Sequence, residues 1–177
     1  MRLVATRIGF LRAINLGAKR KFPKASIIAA VEAAGFTDVE TYINTGNVRF
    51  DTTLRSRAKI EAALEEAFAA EAGFAVPTVV FTPRELKAIA EEAASFGHSG
   101  RHYVSLLKQT PTAAAVREVE EAGSAEEVAK VGGRAVHLLL GANYHEARLT
   151  NAAVEKHLGV ATNRNLTVIR ELADRWC

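Results

Sequence analysis

The residues best suited to binding chemistry lie in a basic segment near the start of the chain, residues 12–23. Its candidate binding groups are four cations, one amide and one glycine: Arg12, Lys19, Arg20, Lys21, Asn15 and Gly17. An arginine can grip a phosphate or carboxylate with two parallel hydrogen bonds, lysines act as point charges, and glycine lets the backbone approach a ligand. This combination predicts a site for an anionic group. The alternative is a solvated loop tip whose charges only keep the protein soluble.

The distribution of charge along the chain favours the binding interpretation. Residues 1–24 contain seven basic residues and no acidic one, because the first carboxylate is Glu32, and the remainder carries sixteen basic and twenty acidic residues. The overall net charge of +3 therefore conceals a positive patch on an otherwise acidic chain. Such a patch concentrates anions and steers them toward itself.

Two further polar clusters extend the candidate site. One follows a predicted strand and the other precedes the last predicted helix, and their candidate binding residues are Asn44, Thr45, Gly46, Asn47, Thr162, Arg164 and Asn165. Asparagine and glycine are also ordinary turn residues, and residues 162–165 also suit a helix N-cap beside a solvated arginine. Both alternatives stay open at the level of sequence.

Motifs of well-known cofactor or nucleophile chemistry do not occur in the sequence. A Gly-x-x-x-x-Gly-Lys-Ser/Thr loop, a Gly-x-Gly-x-x-Gly fingerprint and a Gly-x-Ser-x-Gly elbow are all missing. His98 and His102 are four residues apart, but their stretch is rich in glycine and has no nearby acid, which argues against zinc. His137 lies in an apolar strand and is interpreted as a packed core residue or as part of a polar-face alternation. We assign no metal ligand, no cofactor and no catalytic residue.

The composition is that of a soluble globular protein, with 177 residues, 49% of them hydrophobic and 24% charged. The single cysteine, Cys177, excludes an internal disulfide framework and a cysteine metal cluster, which makes a reducing cytoplasmic setting the default. Arg7 and Arg12 interrupt the apolar N-terminal stretch, which therefore does not resemble a signal peptide. No run approaches the roughly 18 apolar residues of a membrane span. The oligomeric state is left open.

The first half of the chain shows the order strand, helix, strand, strand, helix, strand. Alternation of apolar residues and β-branched runs predict the strands, and a period near 3.6 predicts the helices. Pro77 favours an edge position or a bulge for the fourth strand. The predicted ranges are strands over 6–13, 39–43, 48–50 and 74–81, and helices over 26–34, over 55–71 and from 82 onward. This order is that of a ferredoxin-like split βαβ unit.

The second half repeats the first in abbreviated form, with a strand, a helix, a hairpin and two helices. The predicted ranges are strands over 103–107, 128–131 and 135–140, and helices over 111–121, 150–158 and 165–176. We therefore predict an α+β fold with helices packed on antiparallel or mixed sheets. Residues 1–95 form the ferredoxin-like half, and residues 96–177 form a second α+β half that packs with the first as one compact unit.

The predicted topology brings the basic loop and the turn at 44–47 together. In a split βαβ unit the first two strands run parallel through a right-handed crossover, with the third strand antiparallel between them. The carboxyl ends of strands one and two therefore lie at one edge of the sheet. The basic loop follows the first of these ends and the turn follows the second, so we expect the two to be neighbours. A contact of residues 162–165 with this site is a further functional hypothesis that spacing does not establish.

Several stretches resemble the bacterial domain of unknown function (DUF) 1697 family. They are RAINLG at 12–17, GFTDV at 35–39, TYINTGNVRF at 41–50 and ATNRN at 161–165. The resemblance implies an α+β fold with ferredoxin-like halves and implies no activity. It implies that the family's motif positions are Arg12, Asn15, Gly17, Asn44, Gly46, Asn47, Thr162, Arg164 and Asn165.

The chain departs from the family pattern at three positions. Ala13 and Ala18 stand where the family usually has glycine, and Leu166 stands where it has tryptophan. If a ligand packs against that backbone or stacks on that ring, this chain binds it differently from other members.

Three hypotheses of function follow from the sequence. The leading one is a binding protein for a phosphorylated ligand, either a nucleotide or a nucleic-acid backbone. The second is an enzyme on a small anionic metabolite, with Arg12 and Arg164 as electrostatic stabilisers and no side-chain nucleophile. The third is an interaction module that docks an acidic protein. Low aromatic content, 7%, argues against sequence-specific RNA recognition.

Overall fold

A computed structural model of the chain, which describes residues 2–141 and 146–177, contains two four-stranded antiparallel sheets with helices. The first sheet has the strand order β2-β3-β1-β4, and its edge strand β4 follows Pro77 directly, which confirms the predicted edge position. The elements of this part are β1 (Ala5–Leu11), α1 (Lys24–Ala33), β2 (Thr37–Thr41), β3 (Asn47–Thr52), α2 (Arg57–Ala72) and β4 (Thr78–Phe81). The predicted α+β fold is confirmed.

Aromatic residues dominate the first core, where the helices cover one face of the sheet. The rings of Phe22 and Phe68 meet edge to face with centroids 5.5 Å apart, and those of Phe36 and Phe50 lie 4.9 Å apart. All four side chains are buried. Such pairs are worth about 0.5–1.5 kcal/mol beyond the area that they bury. Because Phe22 belongs to the basic segment, this core anchors the end of that segment.

The second sheet has the strand order β6-β7-β5-β8, which is the order of the first sheet repeated. Its core is aliphatic, with Leu107, Val136, Leu138 and Val154 among its buried residues. The elements are α3 (Pro83–Ser95), β5 (Arg101–Leu107), α4 (Ala113–Glu121), β6 (Glu127–Gly132), β7 (Ala135–Leu140), α5 (Asn151–Leu158), β8 (Ala161–Asn165) and α6 (Leu166–Trp176). None of the helices in the described ranges has both the length and the apolar character of a transmembrane helix.

The prediction of an abbreviated second half is wrong, because residues 161–165 form the strand β8. This strand pairs antiparallel with β5, with Ala161 opposite Leu107 and Asn165 opposite Tyr103. It takes the place that β4 takes in the first sheet. The second half therefore contains a full strand, helix, hairpin, helix, strand unit, followed by α6.

The boundary between the halves also differs from the predicted one at 95/96. One compact unit comprises Met1–Pro83 with Trp176, and the other comprises Arg84–Arg175 with Cys177. Helix α3 therefore belongs to the second unit. The physical reason is its packing on β7, where the Phe96 ring that follows the helix lies 5.0 Å from the His137 ring.

Candidate functional site

The side chain of Asn15 fixes the basic loop, residues 12–23, to the turn at residues 44–47. Its Oδ1 accepts the backbone N–H of Phe22 at 2.8 Å, and its Nδ2 donates to the carbonyl oxygens of Phe22 at 3.1 Å and Asn44 at 2.7 Å. The residue has a left-handed backbone, with φ 53°, which asparagine tolerates better than most residues. The predicted meeting of loop and turn is confirmed. Asn15 itself holds them together through hydrogen bonds within the protein.

Gly46 lets the turn lie directly against the end of β1. The backbone N–H of Leu11 donates to the carbonyl of Gly46 at 2.9 Å. A Cβ atom on Gly46 would lie 2.7 Å from Cβ of Leu11 and 2.9 Å from Cδ1 of Ile14, and the residue has φ 90°. A larger side chain therefore has neither the space nor the backbone conformation that it needs. Gly46 serves the close contact of loop and turn.

Asn47 closes the turn from inside, since its side chain is almost completely buried. Its Nδ2 donates to the carbonyl of Tyr42 at 3.0 Å and to Oγ1 of Thr45 at 2.9 Å. Asn44 and Thr45 are exposed at the surface of the turn. Of the predicted binding residues in this turn, these two are exposed, whereas Gly46 and Asn47 are buried.

Of the four cations of the basic loop, Arg20 holds the loop in place, whereas Lys19 and Lys21 are exposed. The guanidinium of Arg20 donates to the carbonyl oxygens of Ala13 at 2.5 Å and Ala75 at 2.7 Å, and it lies 4.5 Å above the Phe74 ring. Lys19 and Lys21 are exposed, and in the described part of the chain neither forms an ion pair.

Arg12 lies at the start of this loop, and Gly17 lies at its exposed tip. Arg12 is half-buried and its backbone N–H donates to the carbonyl of Pro77 at 2.9 Å. At the tip, the N–H of Lys19 donates to the carbonyl of Leu16 at 3.0 Å, and Gly17 has φ 59°. No atom lies within 4 Å of the position that a Cβ of Gly17 would take, so the tip is open to solvent.

The third predicted cluster lies on β8, and two of its residues face the interior. Thr162 and Arg164 are both buried. The Nη1 of Arg164 donates to Oγ1 of Thr162 and to the carbonyl of Asn163, both at 2.8 Å. Burial lowers the pKa of Arg164 to about 10.

Asn165 is the exposed N-cap of α6, since its Oδ1 accepts the N–H of Val168 at 2.9 Å. The helix-cap interpretation of this cluster is therefore confirmed for Asn165, but the arginine beside it is not solvated. This cluster and the basic loop belong to different units, and their meeting stays a prediction.

Three titratable side chains of the second unit, those of His102, His137 and Glu92, lie in a row that the sequence did not indicate as a site. Nε2 of His102 lies 3.0 Å from Nδ1 of His137, and Nε2 of His137 lies 3.6 Å from a carboxylate oxygen of Glu92. Burial lowers the pKa of both histidines to about 4, and for His102 the neighbouring charges of His137, His98 and Arg170 lower it further. Both imidazoles are therefore neutral at pH 7.

The sequence indicated only part of this row of side chains. His137 is completely buried, as predicted, but its hydrogen-bond partner is another histidine. The partnership depends on register, because Val104 is opposite His137 and side chains two apart on a strand share a face, which places His102 beside it. Spacing along the chain does not contain that register.

A cavity of about 370 Å³ opens beside His102. In residues 2–141 and 146–177, no group of three or more His, Cys, Asp or Glu is arranged to hold a metal. The polar residues that line the cavity include no carboxylate: His98, Arg101, His102, Tyr103, Asn165, Thr167 and Arg170.

Comparisons with known proteins agree with this description of the fold. A family model described as "Protein of unknown function (DUF1697)" matches residues 4–137. The solved structure of the conserved bacterial protein SP0830 from Streptococcus pneumoniae is similar, with a TM-score of 0.75 at 20% sequence identity. The similarity covers 97% of this chain and 98% of that chain, and at this identity it concerns the fold. No curated protein matches the chain.

Proposed function

The chain belongs to the DUF1697 family of proteins of unknown function, and we propose that it binds a phosphorylated ligand, a nucleotide or a nucleic-acid backbone, at its basic loop. The observation that carries the proposal is the position of Lys19 and Lys21. Both are exposed on an ordered loop, and among the described residues no carboxylate pairs with either. Two ammonium groups held near each other without counter-charges attract a group with more than one negative charge.

The loop is held in place before any ligand arrives. Asn15 fixes it to the turn, Arg20 fixes it to the backbone before β4, and Phe22 anchors its end in the core. A preorganised loop loses less conformational entropy when it binds, so more of the interaction energy is available as affinity. Three structural anchors around two exposed lysines are therefore consistent with a binding surface.

Neutral hydrogen-bonding groups lie on the same loop and on the turn that Asn15 joins to it. Asn44 and Thr45 are exposed on the neighbouring turn. In the described part of the chain, the backbone N–H groups of Gly17 and Ala18 at the loop tip make no hydrogen bond to the protein. Backbone N–H groups beside lysines are the combination that phosphate oxygens require. We propose a cytoplasmic location, because a single cysteine leaves the chain without an internal disulfide.

The test is a comparison of two double variants with the same change of net charge. Lys19→Ala/Lys21→Ala removes the two loop charges, whereas Lys59→Ala/Lys130→Ala removes two exposed lysines, one on α2 and one on β6. Binding of tripolyphosphate, ATP and a short single-stranded oligonucleotide is measured by calorimetry at low salt. We expect the loop variant to lose about tenfold or more in affinity and the control to lose less than about twofold.

Equal losses in the two variants would mean that anions respond only to the net charge, which would contradict a site on the loop. Absence of saturable binding to all three ligands would also contradict it. In that case the hypotheses of an enzyme on a small metabolite and of a module for acidic proteins would be the ones to pursue.

A further inference from the structure

The row of side chains formed by His102, His137 and Glu92 in the second unit has a preferred arrangement of hydrogens. His102 and His137 share one hydrogen bond of 3.0 Å, so one nitrogen donates and the other accepts. The carboxylate of Glu92 lies 3.6 Å from Nε2 of His137 and favours a hydrogen on that nitrogen. A neutral imidazole carries only one N–H, so Nδ1 of His137 is then the acceptor and Nε2 of His102 the donor. This arrangement leaves Nδ1 of His102 with a lone pair.

The surroundings of His102 and His137 hold the two rings in place and shield them from solvent. His137 is completely buried and His102 is 6% exposed. The ring of Phe96 packs against both, with centroids 5.0 Å from His137 and 6.2 Å from His102. Nε2 of His98 lies 2.9 Å from the carbonyl of Leu140, which fixes the third ring near the cavity. The described residues provide no further hydrogen bond to His102, whose ring lines the cavity.

The cavity beside His102 presents groups that suit an oxyanion. The side chains of Arg101 and Arg170 line it, together with the first residues of α6 and the cap residue Asn165. Guanidinium groups and the N-terminus of a helix both favour negative charge. A volume of about 370 Å³ accommodates a small molecule. The histidine pair distinguishes the cavity from an ordinary basic surface patch.

We propose that this cavity binds a small molecule through an oxyanion group, a phosphate, sulfate or carboxylate, and that binding adds a proton to His102. The bound anion contacts Arg170 and the His102 ring. His137 and Glu92 are positioning residues, since they orient that ring through its Nε2–H. The site lies within the second unit.

The coupling to protonation follows from the titratable and charged groups around His102. These are His137 from β7, His98 from the segment before β5, Arg101 beside it, Arg170 from α6 and, behind His137, Glu92 from α3. In the free protein the burial of His102 and the cationic neighbours lower its pKa to about 4. A bound anion raises that pKa, so the complex takes up a proton that the free protein does not hold. Affinity therefore increases as the pH falls through the pKa of His102 in the complex.

Inorganic sulfate is a suitable probe, because it does not itself titrate in the range of the measurement. Its binding is measured by calorimetry and by the NMR signal of the His102 ring at about pH 5.5 and about pH 7.5. We expect affinity about fivefold or more tighter at the lower pH, with proton uptake visible as a dependence of the binding enthalpy on the buffer. Phosphate and acetate, titrated in parallel, rank tetrahedral against planar oxyanions.

Three variants locate the site and its coupling. Arg170→Ala should weaken sulfate binding about tenfold at both pH values, whereas Arg117→Ala, an exposed arginine on α4, should leave it unchanged. His102→Gln keeps a donor toward His137 and cannot take up a proton at this position. It should therefore abolish most of the pH dependence of sulfate binding.

Several results would overturn the proposal. They are no saturable sulfate binding at either pH, binding that Arg170→Ala does not weaken, and pH dependence that His102→Gln retains. Loss of sulfate binding in Lys19→Ala/Lys21→Ala but not in Arg170→Ala would assign the anion to the loop instead. If His102→Gln does not fold, the His102 ring signal of the wild-type protein decides, because it must shift toward its protonated position when sulfate is added at about pH 5.5.

Discussion

Ala13 adopts a left-handed backbone conformation, with φ 57°, in the middle of the basic loop. This conformation costs an L-residue other than glycine roughly 1–2 kcal/mol, and related chains usually have glycine here, as the family resemblance indicates. Ala13→Gly removes the cost but adds some entropy to the unfolded chain. We expect the free energy of unfolding to increase by roughly 0.5–1 kcal/mol. Urea denaturation at neutral pH measures the change.

Ala18 provides a matched control in the same loop. It is the second position at which this chain has alanine where the family has glycine, but its φ is not positive. Ala18→Gly therefore adds entropy to the unfolded chain without relieving strain, and we expect it to lower stability by up to about 1 kcal/mol. Changes of the same sign in both variants would contradict this explanation of the departures.

The sequence indicates which residues belong to the candidate site more clearly than it indicates what each of them contacts. Asn15 and Asn47 were predicted as ligand-binding amides, but the structure satisfies both side chains within the protein. Their partners are mostly backbone atoms of other residues, and one of them, the carbonyl of Asn44, lies 29 positions from Asn15. A sequence motif records that an amide is required at a position, not which atom it contacts. Lys19 and Lys21 remain the predicted binding residues whose side chains are both charged and exposed.

The contact between the basic loop and the 44–47 turn depends on the two N–H hydrogens of the Asn15 side-chain amide. Asn15→Asp keeps the shape and the acceptor for the N–H of Phe22, but it replaces the donor to the carbonyls of Phe22 and Asn44 by an oxygen. We expect a loss of about 1–3 kcal/mol in unfolding free energy, because two carbonyls lose their partner and face a carboxylate. Hydrogen exchange should show faster opening at residues 12–23.

Asn44→Asp serves as the control for that variant, because it introduces the same charge at an exposed residue of the same turn. It should change stability by less than about 0.5 kcal/mol. Equal destabilisation by both substitutions would mean that the added negative charge, and not the lost donor, is responsible.

At the scale of elements, the pattern of apolar residues predicted every strand except β8. Residues 161–165 have a polar composition although β8 buries Thr162 and Arg164, and the hydrogen bond that Nη1 of Arg164 donates to Oγ1 of Thr162 helps to compensate their burial. The strand lies at the edge of its sheet, where a continuous apolar pattern is not required. Its place became apparent only from its pairing with β5. The hairpins and long helices were predictable because their periodicity and capping residues are local.

The packing of α3 on the second sheet makes stability depend on pH through His102 and His137. Both histidines have a pKa of about 4 in the folded protein, below the ordinary value of about 6.5 in the unfolded chain. Between these values the unfolded chain binds more protons, so stability falls as the pH is lowered from about 6.5 to about 4. We expect each histidine to contribute a loss of up to roughly 2 kcal/mol.

Melting temperatures recorded across this range test the expectation. His102→Gln should flatten the dependence, because it removes one of the two titrating groups. His157→Gln on α5, where His157 is partly exposed and only 3.4 Å from Glu118, should leave the loss on acidification in place. A stability that is constant between about pH 6.5 and about pH 4 would contradict the buried neutral pair.

At the scale of the whole molecule, the two sheets repeat one topology while their chemistry differs. The strand orders β2-β3-β1-β4 and β6-β7-β5-β8 correspond strand for strand. The first unit carries lysines on the loop after its first strand, whereas the second carries histidines on its central strands. Similar scaffolds therefore hold different candidate sites, and the likeness to a solved structure at 20% identity concerns the scaffold alone.

The asymmetric charge of the chain makes the response to salt the most informative property of the proposed loop site. If a nucleic-acid backbone is the ligand, the logarithm of the affinity should fall linearly with the logarithm of the salt concentration, by about 0.7 per single-strand phosphate neutralised. Removing Lys19 and Lys21 should then reduce that slope by about one to two, while Lys59→Ala/Lys130→Ala should leave it nearly unchanged. Titrations of a short oligonucleotide between about 50 and about 200 mM salt measure the slopes.

A loop variant with the wild-type slope would show that neither lysine contacts a phosphate. A reduced slope for tripolyphosphate but no oligonucleotide binding would identify a small phosphorylated molecule as the ligand, because the same two lysines would then serve a compact polyanion instead of an extended strand.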